Sequence, residues 1–173
     1  SIGEEKFNVI SDNGLTVTML AKYNLGTDYR QTESNNNVEF SDVEYGWEYT
    51  PGPKEIDIQV WSTNPKEYIN EYVSSLIEET GSNNLSGDLI TMTQLKKLGC
   101  VLYDDYSANF DKDLSCENSP YKSWLVTQQY WWTKSATPDN NWGIWAVYPD
   151  SIFIDECYDS KMGIRPTITI DKE

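Results

Sequence analysis

Between positions 64 and 81 the sequence permits little except a helix packed along one side. Ile69, Tyr72, Val73, Leu76 and Ile77 recur at i, i+3, i+4, i+7 and i+8, which lines them up as a single apolar stripe. Asn64 supplies a cap, Pro65 suits the first helical position and Gly81 marks the stop. A helix with one apolar stripe must lay it against another layer. Strand-forming segments supply that layer. Residues 7–11, the turn Asp12-Asn13-Gly14 and residues 15–20 read as a β-hairpin, with Val17 and Met19 on the face opposite Thr16 and Thr18. A shorter helix follows Thr91, with Met92, Leu95 and Leu98 facing inward and Gly99 ending it. Segments 130–133, 142–148, 152–157 and 164–170 are rich in β-formers and separated by turn residues. Segment 26–63 is polar and irregular, with turn signals at Asn35-Asn36-Asn37 and Pro51-Gly52-Pro53. Trp47, Tyr49, Ile56, Ile58, Val60 and Trp61 need cover there, which predicts a long loop packed on the body.

The order hairpin, helix, helix, short antiparallel strands predicts an α+β domain in which the last strand pairs with the first hairpin. The 173 residues fit one domain, 1–173. Its core is expected to be aromatic, since the chain holds 7 Trp and 12 Tyr. Such rings also dominate binding surfaces, so their number alone assigns no role.

Charge and missing residue types exclude several functions. With 28 acidic and 13 basic residues, the net charge of −15 repels a phosphate backbone and anionic membranes, so no nucleic-acid partner is expected. There is no His, which removes Ser-His-Asp, Cys-His and zinc-His chemistry. No pair of carboxylates is brought to a defined separation by the sequence, and the chain is read as a non-enzyme. The 3 cysteines show no CxxC spacing. Cys100 and Cys116 bracket a short polar, aromatic loop and are read as a disulfide, leaving Cys157 outside it. No apolar run reaches the ~18 residues needed to cross a membrane, so direct insertion is not expected. The start at Ser1-Ile2-Gly3 reads as a trimmed chain whose export or anchoring segment is missing.

Three segments carry a family resemblance. Trp132-Thr133-Lys134-Ser135-Ala136 resembles the Trp-Ser/Thr-x-Ser run of bacterial C-type-lectin-like domains. Ile144-Trp145-Ala146-Val147-Tyr148 resembles their following Val-Trp-x-Val strand, and Gly163-Ile164-Arg165-Pro166-Thr167-Ile168-Thr169-Ile170 their closing Gly-Val-Arg-Pro strand. Asn8 to Gly14, Ala21-Lys22-Tyr23-Asn24-Leu25 and Lys97-Leu98-Gly99-Cys100 are similar to the opening hairpin and a turn of the same group. The likeness covers about the last 45 residues well and the middle only by element order. It implies a C-type-lectin-like fold, two helices flanking a small twisted antiparallel sheet with long loops. It also implies an extracellular or cell-surface setting, among surface, pilin-like or retroelement-diversified variable proteins.

The candidate ligand-binding residues are Tyr130, Trp131, Asp139, Asn140, Asn141, Trp142 and Tyr158, which would present a protein or glycan with aromatic and amide groups. Alternation along the strand puts Trp131 on the face opposite Trp132, the residue that the resemblance makes core. Pro138-Asp139-Asn140-Asn141-Trp142 is the one faint match to animal calcium-lectin signatures; calcium stays open as a ligand there, and no other cofactor or metal is expected. Asp104, Asp105, Asp111 and Asp113 lack the EF-hand Gly and Glu and read as a solvated loop. Arg165 is expected to tie loops together through its five fixed donors. The alternative to a binding module is a structural pilin-like or surface-assembly subunit without a dedicated ligand. A diversified binder would vary at exposed positions between about 121 and 158.

Overall fold

A computed structural model describes residues 5–42, 54–101, 114–136 and 143–172. Strand β1 (Phe7–Asp12) turns at Asn13-Gly14, where Gly14 takes φ +87, and returns as β2 (Thr16–Ala21). The Asn13 carboxamide oxygen accepts from the backbone N–H of both Leu15 and Thr16, so the turn is held by its own side chain. Two short strands follow, β3 (Val38–Glu39) and β4 (Lys54–Glu55), in the stretch predicted as a packed loop. Ile56 and Ile58 are buried there as expected, as is Phe40, and Trp61 is half-buried; Trp47 and Tyr49 lie outside the described residues, and Val60 is 75 % exposed. It sits in a turn closed by its N–H bond to the Asp57 carbonyl, which faces its side chain outward.

Helix α1 (Asn64–Thr80) buries Ile69, Tyr72 and Leu76. Its cap is Thr63, not Asn64: the Thr63 hydroxyl accepts from the Lys66 N–H, one of the donors that lack a partner inside the helix. Asn64 instead donates its amide to the Glu39 carbonyl. Gly81 ends the helix in the left-handed conformation. Strand β5 (Leu85–Leu89) was not anticipated; helix α2 (Met92–Lys97) was, and carries a full capping box between Thr91 and Gln94. A one-turn helix, α3 (Lys122–Leu125), precedes β6 (Trp131–Ala136), β7 (Gly143–Val147), β8 (Ile152–Glu156), β9 (Lys161–Met162) and β10 (Pro166–Asp171).

Among the described residues the expected small sheet is three antiparallel sheets, ordered β1-β2-β10-β5, β4-β6-β7-β8 and β3-β9, and the helices number three. The predicted pairing of the last strand with the first hairpin is present, with Ile168 opposite Met19 and Thr169 opposite Thr18. Two apolar clusters result. One gathers α1, the Met19–Ile168 face of the first sheet and Trp132, Ile144 and Ala146 of the second. The other gathers Leu20, α2, Leu125, the two paired cysteines and Trp131, Trp145 and Val147. Strands β6 and β7 separate the clusters, so both of their faces are buried.

Cys100 and Cys116 are disulfide-bonded, closing a loop whose ends lie 16 residues apart, while Cys157 stays buried outside it. Closing a loop of that length restricts the unfolded chain by about 3 kcal/mol. A Cys100→Ser/Cys116→Ser variant is therefore expected to lose about 2–4 kcal/mol in urea unfolding. Reductant should lower the wild-type midpoint toward that of the variant and leave the variant unchanged.

Candidate functional site

The strand register decides which of the predicted contact residues meet. Trp131 pairs with Val147, so Tyr130 and Tyr148 stand opposite each other just beyond that end of the sheet. Their ring centroids are 4.8 Å apart. Phe153, on the same face of β8, continues the row at 5.2 Å from Tyr148. Tyr130 and Phe153 are 38 % and 40 % exposed, and Tyr148 lies half-buried between them. Three rings thus form one continuous shelf on paired strands, held at separations favoured by offset or tilted aromatic pairs.

The shelf has a polar neighbour on the same face, Asp155, two residues along β8 from Phe153. Tyr148 donates its hydroxyl to Asp155 Oδ2 at 2.6 Å. Burial holds the Asp155 carboxyl above its ordinary value, against the opposing effect of hydrogen bonds from Tyr148 and Ser160. Burial also raises the Tyr148 phenol, reinforced by the same carboxylate, so it remains a neutral donor. Because Asp155 is raised relative to the unfolded chain, its ionised form opposes folding. Its unfavourable contribution fades as pH falls through the raised value toward the ordinary 3.8. Asp155→Asn keeps an acceptor for Tyr148 and removes the charge. The stability difference between wild type and variant should accordingly shift in favour of the wild type over that acid window, read by unfolding at several pH values. A difference that is flat or runs the other way excludes this account.

The base of the shelf is fixed to the hairpin side of the molecule. The Tyr130 carbonyl accepts from Asn24 Nδ2 and from the Gly163 N–H, both at 2.8 Å. Gln129, itself buried, accepts from the Asn24 N–H and donates to the Thr32 and Ser34 carbonyls.

Of the three predicted contact residues that are described, Tyr130, Trp131 and Tyr158, Tyr130 alone joins this shelf. Trp131 does not contact solvent: it is 1 % exposed, in the second cluster, with the Arg165 guanidinium 5.0 Å from its ring. The alternation that set it opposite Trp132 holds, but a second apolar layer covers that face. Tyr158 is 40 % exposed and lies two residues past Glu156, the partner of Gly143, toward the other end of the strands. Asp139, Asn140, Asn141 and Trp142 lie outside the described residues, as do Asp104, Asp105, Asp111 and Asp113. The residues bracketing the first group, Ala136 and Gly143, are at the end of the β6–β7 pair opposite Tyr130. Tyr148 and Phe153 were missed, although period-two alternation around Ile152-Phe153-Ile154-Asp155 carries the signal.

Among the described residues, no group of three or more Cys, Asp or Glu side chains is placed to hold a metal ion. No helix among them is long and apolar enough to cross a membrane, which leaves β-barrels unaddressed. Compared with protein-family models, curated proteins and solved structures, the chain matches none.

Proposed function

We propose that this chain is a ligand-binding module of secreted or surface-displayed type with a C-type-lectin-like architecture, and that the Tyr130–Tyr148–Phe153 shelf is its contact surface. The observation that carries the reading is the shelf itself. In a chain that buries Trp131, Trp132 and Trp145 almost completely, these three rings form a row of tilted pairs with its two outer members exposed. Rigid aromatic residues on paired strands give contact area at low entropic cost, the property that makes Tyr effective in binding surfaces. The architecture is supported by the closing strand beside the opening hairpin and by the Trp-bearing strands gathered in a second sheet. A binding role in place of catalysis is supported by the absence of His from the sequence.

The test is direct. Wild-type chain is screened on glycan and extracellular-protein arrays, and its best ligand is titrated against Tyr130→Ala/Phe153→Ala. Both positions are exposed, so the unfolding midpoint should move little, while affinity should fall tenfold or more, about 1.4 kcal/mol. Unchanged affinity removes the shelf from the reading. Silence on both arrays, with self-assembly of the chain instead, would favour a structural subunit.

A further inference from the structure

A cleft of about 400 Å³ opens between the residues that follow β2 and the segment running from α3 into β6. We infer that it binds the uncharged end of a glycan, one or two sugar rings, with Trp124 as the stacking face; this rests on the reading of the chain as a binding module and names a ligand class for it. The volume lies at the small end of the range for ligand pockets, about 300–1,000 Å³.

Its walls are already ordered. Gln129 clips the chain at Asn24, Thr32 and Ser34 to the segment before β6. Tyr23 donates its backbone N–H to Gln31 Oε1 at 3.1 Å and its hydroxyl to Glu33 Oε1 at 2.7 Å. Trp124 is half-buried, its ring 5.6 Å from that of Tyr121, and its carbonyl is held by Arg165. A ligand therefore meets a cleft that needs little ordering on binding.

The chemistry of the lining selects the class. Ser123, Thr127 and Gln128 line the cleft together with Trp124, the Thr127 hydroxyl being bonded to the Gln129 backbone and the Ser123 and Gln128 positions exposed. A wholly apolar ligand lying over Ser123 and Gln128 would take their polar groups from water without replacing those hydrogen bonds. Among the described residues the charges lining the cleft are Lys22, whose ammonium sits 5.1 Å over the Tyr23 ring, and Glu33. They sum to zero on a chain whose net charge is −15, so the cleft is a neutral place on an acidic molecule. A polyol with an apolar ring face and a hydroxyl rim fits that combination. An anion meets Glu33 and the surrounding field, and a cation finds its counter-charge already engaged by Tyr23.

The full chain is titrated with methyl hexosides, methyl N-acetylhexosaminides and short neutral disaccharides, with glucuronate and a lysine tripeptide as charged probes, and followed by NMR shifts and Trp fluorescence. Expected are saturable shifts at Trp124, Thr127 and Gln128 for at least one neutral sugar, and weaker or no shifts for the charged probes. Trp124→Ala should weaken binding about tenfold and Trp124→Phe should restore part of it. Gln128→Ala, at an exposed position that leaves the core untouched, should weaken it severalfold with an unchanged unfolding midpoint. No neutral sugar shifting these residues, tighter binding of a charged probe, or full affinity in Gln128→Ala overturns the inference. Because Tyr130→Ala/Phe153→Ala leaves the cleft lining intact, loss of array binding in that variant with no sugar response at Trp124 would reject the cleft and keep the shelf.

Discussion

Replacing Arg165 by Ala is expected to bring the folded state close to collapse, with a loss of at least about 4 kcal/mol. The side chain is fully buried. Its Nε donates to the Ala21 carbonyl, Nη1 to Leu125 and Nη2 to Trp124, each at 2.7 Å, and its charged plane lies 5.0 Å from the Trp131 ring. Burial pushes the guanidinium down to about 9, which still leaves it cationic at neutral pH. The charge is tolerated because three carbonyl dipoles and an aromatic face replace its hydration. Ala removes all three donors at once, strands the carbonyls in the interior and opens a cavity. Total stabilities of domains run at about 5–15 kcal/mol, so such a loss takes much of the margin. Lys keeps a charge but presents a point donor in place of a planar fork, and Arg165→Lys should recover only a minor part. Urea unfolding of the three proteins checks this; an Ala variant within about 1 kcal/mol of wild type would mean the three bonds contribute little net energy.

That one residue joins the end of β2, α3 and β6 explains why some of the fold was readable in the sequence and some was not. Elements with a local cause were legible: the α1 stripe, the Asn13-Gly14 turn, the α2 segment after Thr91 and the β-rich strands of the last third. Elements with only a tertiary cause were not. Strand β5 reads Leu-Ser-Gly-Asp-Leu, poor β-forming material, and is a strand because β10 offers it a partner from Pro166 to Ile170. Helix α3 has no side-chain cap, and its Trp124 and Leu125 carbonyls are secured from 40 residues away by Arg165. The site shows the same division. Alternation correctly opposed Trp131 to Trp132, yet exposure depends on what covers each face, and Trp131 lies under a layer built from α2, Leu125 and the disulfide. The Tyr130–Tyr148 pairing needed the Trp131–Val147 register, which a single sequence does not display.

The second large effect is expected at Gly163, where adding one methyl group should cost about 3 kcal/mol or more. A Cβ there would stand 1.9 Å from Asn24 Nδ2, 2.7 Å from Asn24 Cγ and 2.9 Å from the Tyr130 carbonyl. Asn24 has no room to yield, since it is fully buried, and its Nδ2 already spans to that same carbonyl. Gly163 meanwhile donates its N–H to Tyr130 and accepts from Trp132, so a backbone shift would break the bridge that fixes the start of β6. The severest contact is with the Asn24 amide, and a double-mutant cycle separates that part of the strain from the 2.9 Å approach to the Tyr130 carbonyl, which remains in either background. In Gly163→Ala the clash is with the Asn24 amide, and in Gly163→Ala/Asn24→Ala the amide is gone. Asn24→Ala alone forfeits the Nδ2 bond to Tyr130 and should cost about 1–3 kcal/mol. The double variant should then be more stable than the sum of the single losses implies, by about 1–3 kcal/mol. Simple additivity would show that the crowding is relieved elsewhere. Because the Tyr130 carbonyl is the shared acceptor, the Gly163→Ala protein should also bind less tightly at the aromatic shelf under conditions where it remains folded. A packing defect confined to stability would leave that affinity unchanged, so the binding measurement separates a structural glycine from one that positions Tyr130.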